Sequence, residues 1–276
     1  MTTPIQHLQN SFSDCEAIVC DLDGTLYLDS YPLIGAHDFL GKILQSGRKL
    51  FYFTNNTSKS RKTYIQKLAK LGFPIEDRFL ITSADCAETY LINHHFFPEI
   101  YLVGNTDLRA DFTLRQFVCI EEQKALEPPL PKAVVLGFDT ELNYQKIRTC
   151  YDLILKGVPY IATHADLLCP VSAGHFMPDV GSFISLFETA TNGKRPLVVG
   201  KPNKEAVDAI CEKAQLPPEK IAFVGDRLYT DMRMAARFNM FGVLVLSGET
   251  NEEMLRKSPD RPKLVVNGVA DLIRLL

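Results

Sequence analysis

Asp21 and Asp23 are two acids set two residues apart, between an apolar run, Ala17-Ile18-Val19-Cys20, and Gly24. In an extended chain residues i and i+2 face the same way, so both carboxylates can address one point. Gly24 permits a sharp turn that brings backbone N–H groups near that point. Two acids held together are costly unless a cation neutralises them or one stays protonated. Both conditions suit a metal-assisted site with one nucleophilic and one proton-shuttling carboxylate. A solvated strand-to-loop turn has the same local pattern, so the pair needs partners elsewhere in the chain.

The elements that must position it are short apolar runs alternating with helical patterns, the signature of parallel α/β architecture. Ala17–Cys20 reads as a buried strand, Ala36–Gln45 as a helix stopped at Gly47, Leu50–Phe53 as a strand and Arg61–Leu71 as a helix ending at Gly72. Further on, Leu197–Val199 leads into Gly200-Lys201, and a helix over Ala206–Ala214 ends at Pro217-Pro218. Ile221–Val224 leads into Gly225-Asp226, followed by a helix around Met232–Phe238, a strand at Phe241–Leu246 and a closing helix at Ala270–Leu275. Between these halves a second set of units appears: strands at Ile100–Val103, Ala133–Phe138 and Pro159–Ala162, a helix at Tyr144–Leu155 and a Pro-rich surface loop at Glu127–Pro131. The expected division is residues 1–82 and 191–276 as a discontinuous core, with 83–190 as an inserted smaller α/β domain.

Composition narrows the function classes. With 276 residues, 46% of them hydrophobic and 23% charged, the chain reads as an ordinary globular protein of two domains. A net charge of −3 offers no electrostatic case for nucleic acid or an anionic membrane. No apolar run approaches a membrane span, and Met1–Asp14 shows no basic region followed by an apolar one. Seven scattered cysteines without a Cys-x-x-Cys pair read as reduced thiols of a cytoplasmic protein.

Four strand ends then invite comparison. The first carries Asp21 and Asp23, the second Thr54-Asn55-Asn56, the third Gly200-Lys201-Pro202-Asn203, and the fourth Gly225-Asp226 with Asp231 five residues on. Ligands of open parallel sheets bind at the carboxyl ends of strands. Around a phosphate monoester each residue type has a use. Thr54 and Asn55 can donate to phosphate oxygens, helped by the helix N-terminus after Ser58. Lys201 offers a compact positive charge, and Asp226 can join Asp21 in holding Mg²⁺ through oxygen. Taken singly, Thr-Asn suits a turn and helix cap, Asn203 another cap, and Gly-Asp-x4-Asp a turn with a capping carboxylate. Their joint occurrence in this order is what caps explain poorly.

The segments DLDGTLY, FTNN, VGKPNK and VGDRLYTD resemble the four motifs of the haloacid dehalogenase-like (HAD) phosphatase superfamily. An insertion between the second and third motifs resembles the NagD-like subgroup (class IIA), as do the pieces GFDTELNYQKI and YIATHADLLCP. The likeness runs from about Ala17 to Leu276. It implies a Rossmann-like parallel-sheet core with an inserted α/β cap, and a Mg²⁺-dependent hydrolase of small phosphate monoesters. Asp21 is then the nucleophile and Asp23 the acid and base. The metal ligands are Asp21, the backbone carbonyl of Asp23, and Asp226, with Asp231 supporting the metal shell. Thr54, Asn55 and Lys201 bind the phosphoryl oxygens. Asn56, His164 and Asp166 are the candidates for substrate choice, with a loop cap an equal alternative for Asp166. Cys169 stands where relatives resembling pyridoxal-phosphate phosphatase carry a His, which weakens that substrate reading.

The implied partner is a small phosphorylated metabolite such as a sugar phosphate, phosphoglycolate, glycerol phosphate or nucleoside monophosphate. Association of copies through the cap is also implied, though no stretch identifies an interface. The pair His94-His95 lacks nearby acidic ligands and reads as a solvated helix end, and Arg227 reads as a local salt-bridge partner. Two other functions share this core: a phosphomutase or phosphotransferase, and a phosphorylatable switch without enzymatic turnover. Against the switch stands Asp23, a second acid that speeds dephosphorylation.

Overall fold

A computed structural model describes residues 12–170 and 175–276. The expectation of no leader at Met1–Asp14 therefore concerns a segment whose first eleven residues lie outside the described ones. The chain divides into two compact units. One comprises residues up to Thr54, Ile65–Ile81 and Lys201–Leu276; the other comprises Asn55–Tyr64 and Thr82–Gly200.

The first unit is built on a six-stranded sheet in the order Leu264–Val266, Phe241–Val245, Ile221–Gly225, Ala17–Asp21, Lys49–Thr54, Leu80–Thr82. Ala17–Asp21 pairs in parallel with Ile221–Gly225 on one side and with Lys49–Thr54 on the other. Ala17–Asp21, Ile221–Gly225 and Phe241–Val245 are buried at every residue, which is why they read as continuous apolar runs rather than alternating ones. The helix Ala36–Gln45 buries Ala36, Phe39, Leu40 and Ile43, a stripe at helical spacing. Chain order reverses at Ala17–Asp21, since the next strand lies to one side and the strand from the far end of the chain to the other. Such a reversal opens a crevice at the carboxyl ends of the two strands.

The second unit carries a five-stranded parallel sheet ordered Leu197–Val198, Tyr160–Ala162, Ala133–Leu136, Glu99–Val103, Val118–Cys119. A two-stranded antiparallel ribbon, Leu168–Pro170 with Phe176–Pro178, lies outside it. The helices Tyr144–Leu155 and Val180–Ala190 contribute Cys150, Leu153, Ile154, Ile184 and Phe187 to its core.

Three elements differ from the sequence expectation. Leu197–Val198 does not lie in the core sheet; it pairs with Ile161–Ala162 as an edge of the second sheet. Local apolarity marks a strand but does not name its neighbour. The helix expected around Met232–Phe238 opens as a π turn, Leu228–Met232, before becoming α over Arg233–Arg237. Asp231 sits in that turn and its Oδ2 accepts from the Arg227 N–H at 3.2 Å, which helps draw the wide turn together. The closing segment, Val269–Leu275, is 3-10 rather than α.

Candidate active site

Asp21 is the last residue of its strand, and Asp226 follows directly on the last residue of the strand beside it. Their carboxylates therefore emerge at one edge of the sheet. Asp231 joins them from the π turn, and ligand oxygens of Asp21, Asp226 and Asp231 all lie within 4.8 Å of one another. Lys201, only 3% exposed, reaches into the cluster. Its Nζ donates to Asp21 Oδ1 at 2.5 Å and lies 2.8 Å from Asp231 Oδ1. The ammonium also sits 5.2 Å from the ring centroids of both Phe53 and Phe223, which wall it off from water.

Gly24 closes the arrangement. It adopts φ +81°, and a Cβ there would meet Asp226 Oδ2 at 2.5 Å. Only glycine both accepts that backbone conformation and leaves room for the carboxylate. The Glu249 N–H donates to Asp226 Oδ2 at 2.7 Å, and Ser247 Oγ donates to the Gly24 carbonyl at 2.8 Å. The loop after Phe241–Val245 thus ties both acid-bearing loops together.

The charges do not balance. With all three ionised, the carboxylates of Asp21, Asp226 and Asp231 against the Lys201 ammonium leave two negative charges unmatched among these four groups. Burial drives the Asp21 carboxyl well above the usual range against the pull of Lys201, and Asp231 and Asp226 add to the rise. Burial, then Asp231, pushes Asp226 up to about 6. Burial alone would lower the Lys201 ammonium, yet Asp21 and Asp231 outweigh it and hold its pKa above the ordinary lysine value. Asp226 Oδ1 is buried and has no hydrogen-bond partner among the described residues. A hard divalent cation bound through carboxylate oxygen answers both the excess charge and that orphaned atom, so the residues fit such an ion.

Asp23 stands apart from this cluster. Its side chain is 42% exposed, and Tyr27 OH donates to Asp23 Oδ2 at 3.1 Å. Lys67 Nζ lies 3.9 Å from Asp23 Oδ1. Desolvation by the crowded loop raises its pKa, and Lys67 and the Tyr27 hydroxyl work against that rise. Thr54 ends the neighbouring strand, buried at 4% exposure.

The remaining expected residues belong to the second unit. Asn55 Nδ2 donates to Asp166 Oδ1 at 3.3 Å, and Ser83 Oγ donates to the Asn55 carbonyl at 2.6 Å. Asn56 Oδ1 accepts from the Ser58 N–H at 2.8 Å, and its Nδ2 points to Cys169 Sγ at 3.5 Å. His164 is wholly buried, its Nε2 3.0 Å from Asp179 Oδ1 and its Nδ1 3.0 Å from Thr163 Oγ1. The sequence alone does not single out Asp179, Tyr27 or Lys67. Asp179 carried a readable signal, an acid immediately before a helical pattern, and it does cap the helix Val180–Ala190.

Known proteins match this layout. The family described as "Haloacid dehalogenase-like hydrolase" matches residues 18–117, and one described as HAD-hydrolase-like matches residues 198–272. The glycerol-3-phosphate phosphatase of Gallus gallus is 30% identical, over 96% of this chain and 93% of that protein. The chain belongs to the haloacid dehalogenase-like hydrolase family. Its structure is similar to that of the 4-nitrophenylphosphatase from Thermotoga maritima, with a TM-score of 0.89 and 35% identity over 96% of this chain and 98% of the other. It is also similar to NagD from E. coli K-12, with a TM-score of 0.82 and 26% identity over 93% of this chain and 98% of the other. This HAD-like protein is a NagD-like (class IIA) phosphatase, and its phosphatase relatives act on small phosphorylated substrates. Phosphatases of the family generally need a divalent metal. Among the described residues no helix is long and apolar enough to cross a membrane.

Proposed function

We propose that this phosphatase hydrolyses small phosphate monoesters with Mg²⁺ through an aspartyl-phosphate formed on Asp21. The observation that carries the reading is the buried group of Asp21, Asp226 and Asp231 around the Lys201 ammonium, two negative charges in excess among these four groups with all three acids ionised. Asp21, the Asp23 carbonyl and Asp226 are assigned to the ion, and Asp231 to its support through Lys201 and the Arg227 N–H. When bound, the ion neutralises the carboxylates and the phosphoryl oxygens so that one anion can approach another.

Asp21 then attacks phosphorus, forming an O–P bond as the ester O–P bond breaks. Asp23 gives its proton to the departing oxygen. In the second step Asp23 takes a proton from water, whose oxygen displaces Asp21 and releases inorganic phosphate. Lys201 holds Asp21 in place by its hydrogen bond and, with Thr54 and Asn55, is assigned to the phosphoryl oxygens.

This cluster recognises only a phosphoryl group, and we assign the choice of ester to Asn56 and Asp166 rather than to the chemical step. His164, with both ring nitrogens engaged and no exposed surface, is assigned to holding the Thr163–Asp166 backbone. Glycerol phosphate, the substrate named for the Gallus gallus relative, leads the candidates. A cytoplasmic location is the further proposal, supported by seven scattered cysteines without a pairing pattern.

The test is phosphate release from a panel of small esters with Mg²⁺, using Asp21→Asn as the control. Free phosphate from wild type alone supports the reading. Phosphate appearing on an acceptor instead identifies a phosphotransferase, and an aspartyl-phosphate that persists for minutes identifies a switch.

A further inference from the structure

The sequence marks neither Tyr27 nor Lys67 for chemistry, yet both converge on Asp23. Tyr27 is wholly buried, so its ring is held by the core while its hydroxyl alone reaches Asp23 Oδ2. The turn itself fixes the register of this contact, because the Gly24 N–H donates to the Tyr27 carbonyl at 2.9 Å. Lys67, on the helix Arg61–Lys70, places its ammonium 3.9 Å from the centroid of the Tyr27 ring and 3.9 Å from Asp23 Oδ1. One cation therefore engages the ring face and the carboxylate at once.

Stability does not account for the arrangement. The two charged side chains are 34% and 42% exposed, and ion pairs of that kind add little to stability. The separation also exceeds hydrogen-bond length. What the contacts supply is direction. An aspartate side chain at a half-exposed turn samples several staggered rotamers. Here one oxygen is held by a phenol from the core and the other faces a cation held over that phenol's ring.

We infer that Tyr27 and Lys67 act together as positioning residues that fix the carboxylate plane of Asp23 for proton transfer. This rests on the assignment of Asp23 as the proton shuttle. A group that must serve first as donor and then as acceptor is served by a single orientation, and a misplacement of about 1 Å costs up to ~100-fold in rate.

The experiment measures kcat and KM on glycerol phosphate for Lys67→Met, Lys67→Arg and Tyr27→Phe, with Asp23→Asn as reference and thermal melting throughout. Lys67→Met keeps the apolar stem over the ring and removes only the charge. Lys67→Arg keeps a cation able to lie on the ring and face the carboxylate. The expected result is a fall in kcat of about tenfold for Lys67→Met and Tyr27→Phe, with KM within about twofold, melting within ~2 °C, and recovery by Lys67→Arg. A rise in KM at constant kcat overturns the inference, because Lys67 then binds substrate. A loss of kcat that tracks lost thermal stability, or that Lys67→Arg does not recover, also overturns it. If both variants match wild type while Asp23→Asn is inactive, the positioning role fails and the shuttle reading stands. If Asp23→Asn itself turns over normally, both fall.

Discussion

Replacing Lys201 by methionine removes the ammonium that lies against Asp21 and Asp231 in the cluster while keeping a stem of similar volume. Methionine packs well against the Phe53 and Phe223 rings that flank the ammonium, so the change reports charge rather than a cavity. Deleting one partner of a buried ion pair costs about 3–5 kcal/mol, and the retained packing argues for the lower end. At about 2–4 °C per kcal/mol, a loss of ~3 kcal/mol lowers the melting temperature by about 6–12 °C. The loss should depend on pH in a definite direction. Asp21 and Asp226 already have raised pKa values, so the folded protein holds their protons to higher pH than the unfolded chain does. Their cost to stability is absent below the unfolded pKa, near 4, and grows as pH rises through the folded values. Without the ammonium that cost grows further, so the deficit of Lys201→Met is larger at pH 7.5 than at pH 5. Millimolar Mg²⁺ narrows the gap by supplying the missing charge. Thermal melting with a chelator and with Mg²⁺ at both pH values is the assay. A variant as stable as wild type at pH 7.5 in chelator refutes the charge argument.

Two further perturbations probe separate parts of the account. Asp226→Asn keeps the size of the side chain but lowers the cluster's charge, so it should abolish most of the stabilisation that Mg²⁺ gives to melting while raising stability in chelator; an unchanged Mg²⁺ effect removes Asp226 from the metal site. Asp111 in the second unit, raised to about 6 chiefly by burial, accepts from the Arg61 N–H at 2.8 Å. Its unfolded form ionises near 3.8, so about two units at ~1.4 kcal/mol each make up to ~3 kcal/mol of stability that is present at pH 4 and gone above pH 6. Asp111→Asn should flatten that fall in urea unfolding between pH 4.5 and 7, and an unaltered slope contradicts it.

Much of the fold is legible in the sequence because burial on both faces leaves strands such as Ala17–Asp21 and Ile221–Gly225 as unbroken apolar runs. Two members of the acid cluster, Asp21 and Asp226, are legible for the same reason, since they stand where those runs stop, whereas Asp231 comes from the π turn. The helix Ser83–Asn93 was less so. Thr82 and Asp85 form a capping box at its start, but buried Asp85 and Glu88, paired with Arg61 and Arg115, interrupt the apolar stripe that marks a helix. The partner strand of Leu197–Val198 and the enclosure of His164 by Asp179 depend on which segments meet in space. The same holds for Lys67 and Asp23, far apart in the chain, whose meeting no spacing rule encodes.

The central claim is that Asp21 carries the phosphoryl group. Asp23→Asn, which leaves the nucleophile in place but slows hydrolysis of the intermediate, is the form in which to look. After incubation with Mg²⁺ and 4-nitrophenyl phosphate, acid quenching and peptide mass mapping should show one added phosphoryl group on the peptide containing Asp21, absent when Asp21→Asn is combined with it. Turnover by Asp21→Asn, or a phosphoryl group found on another residue, contradicts the account.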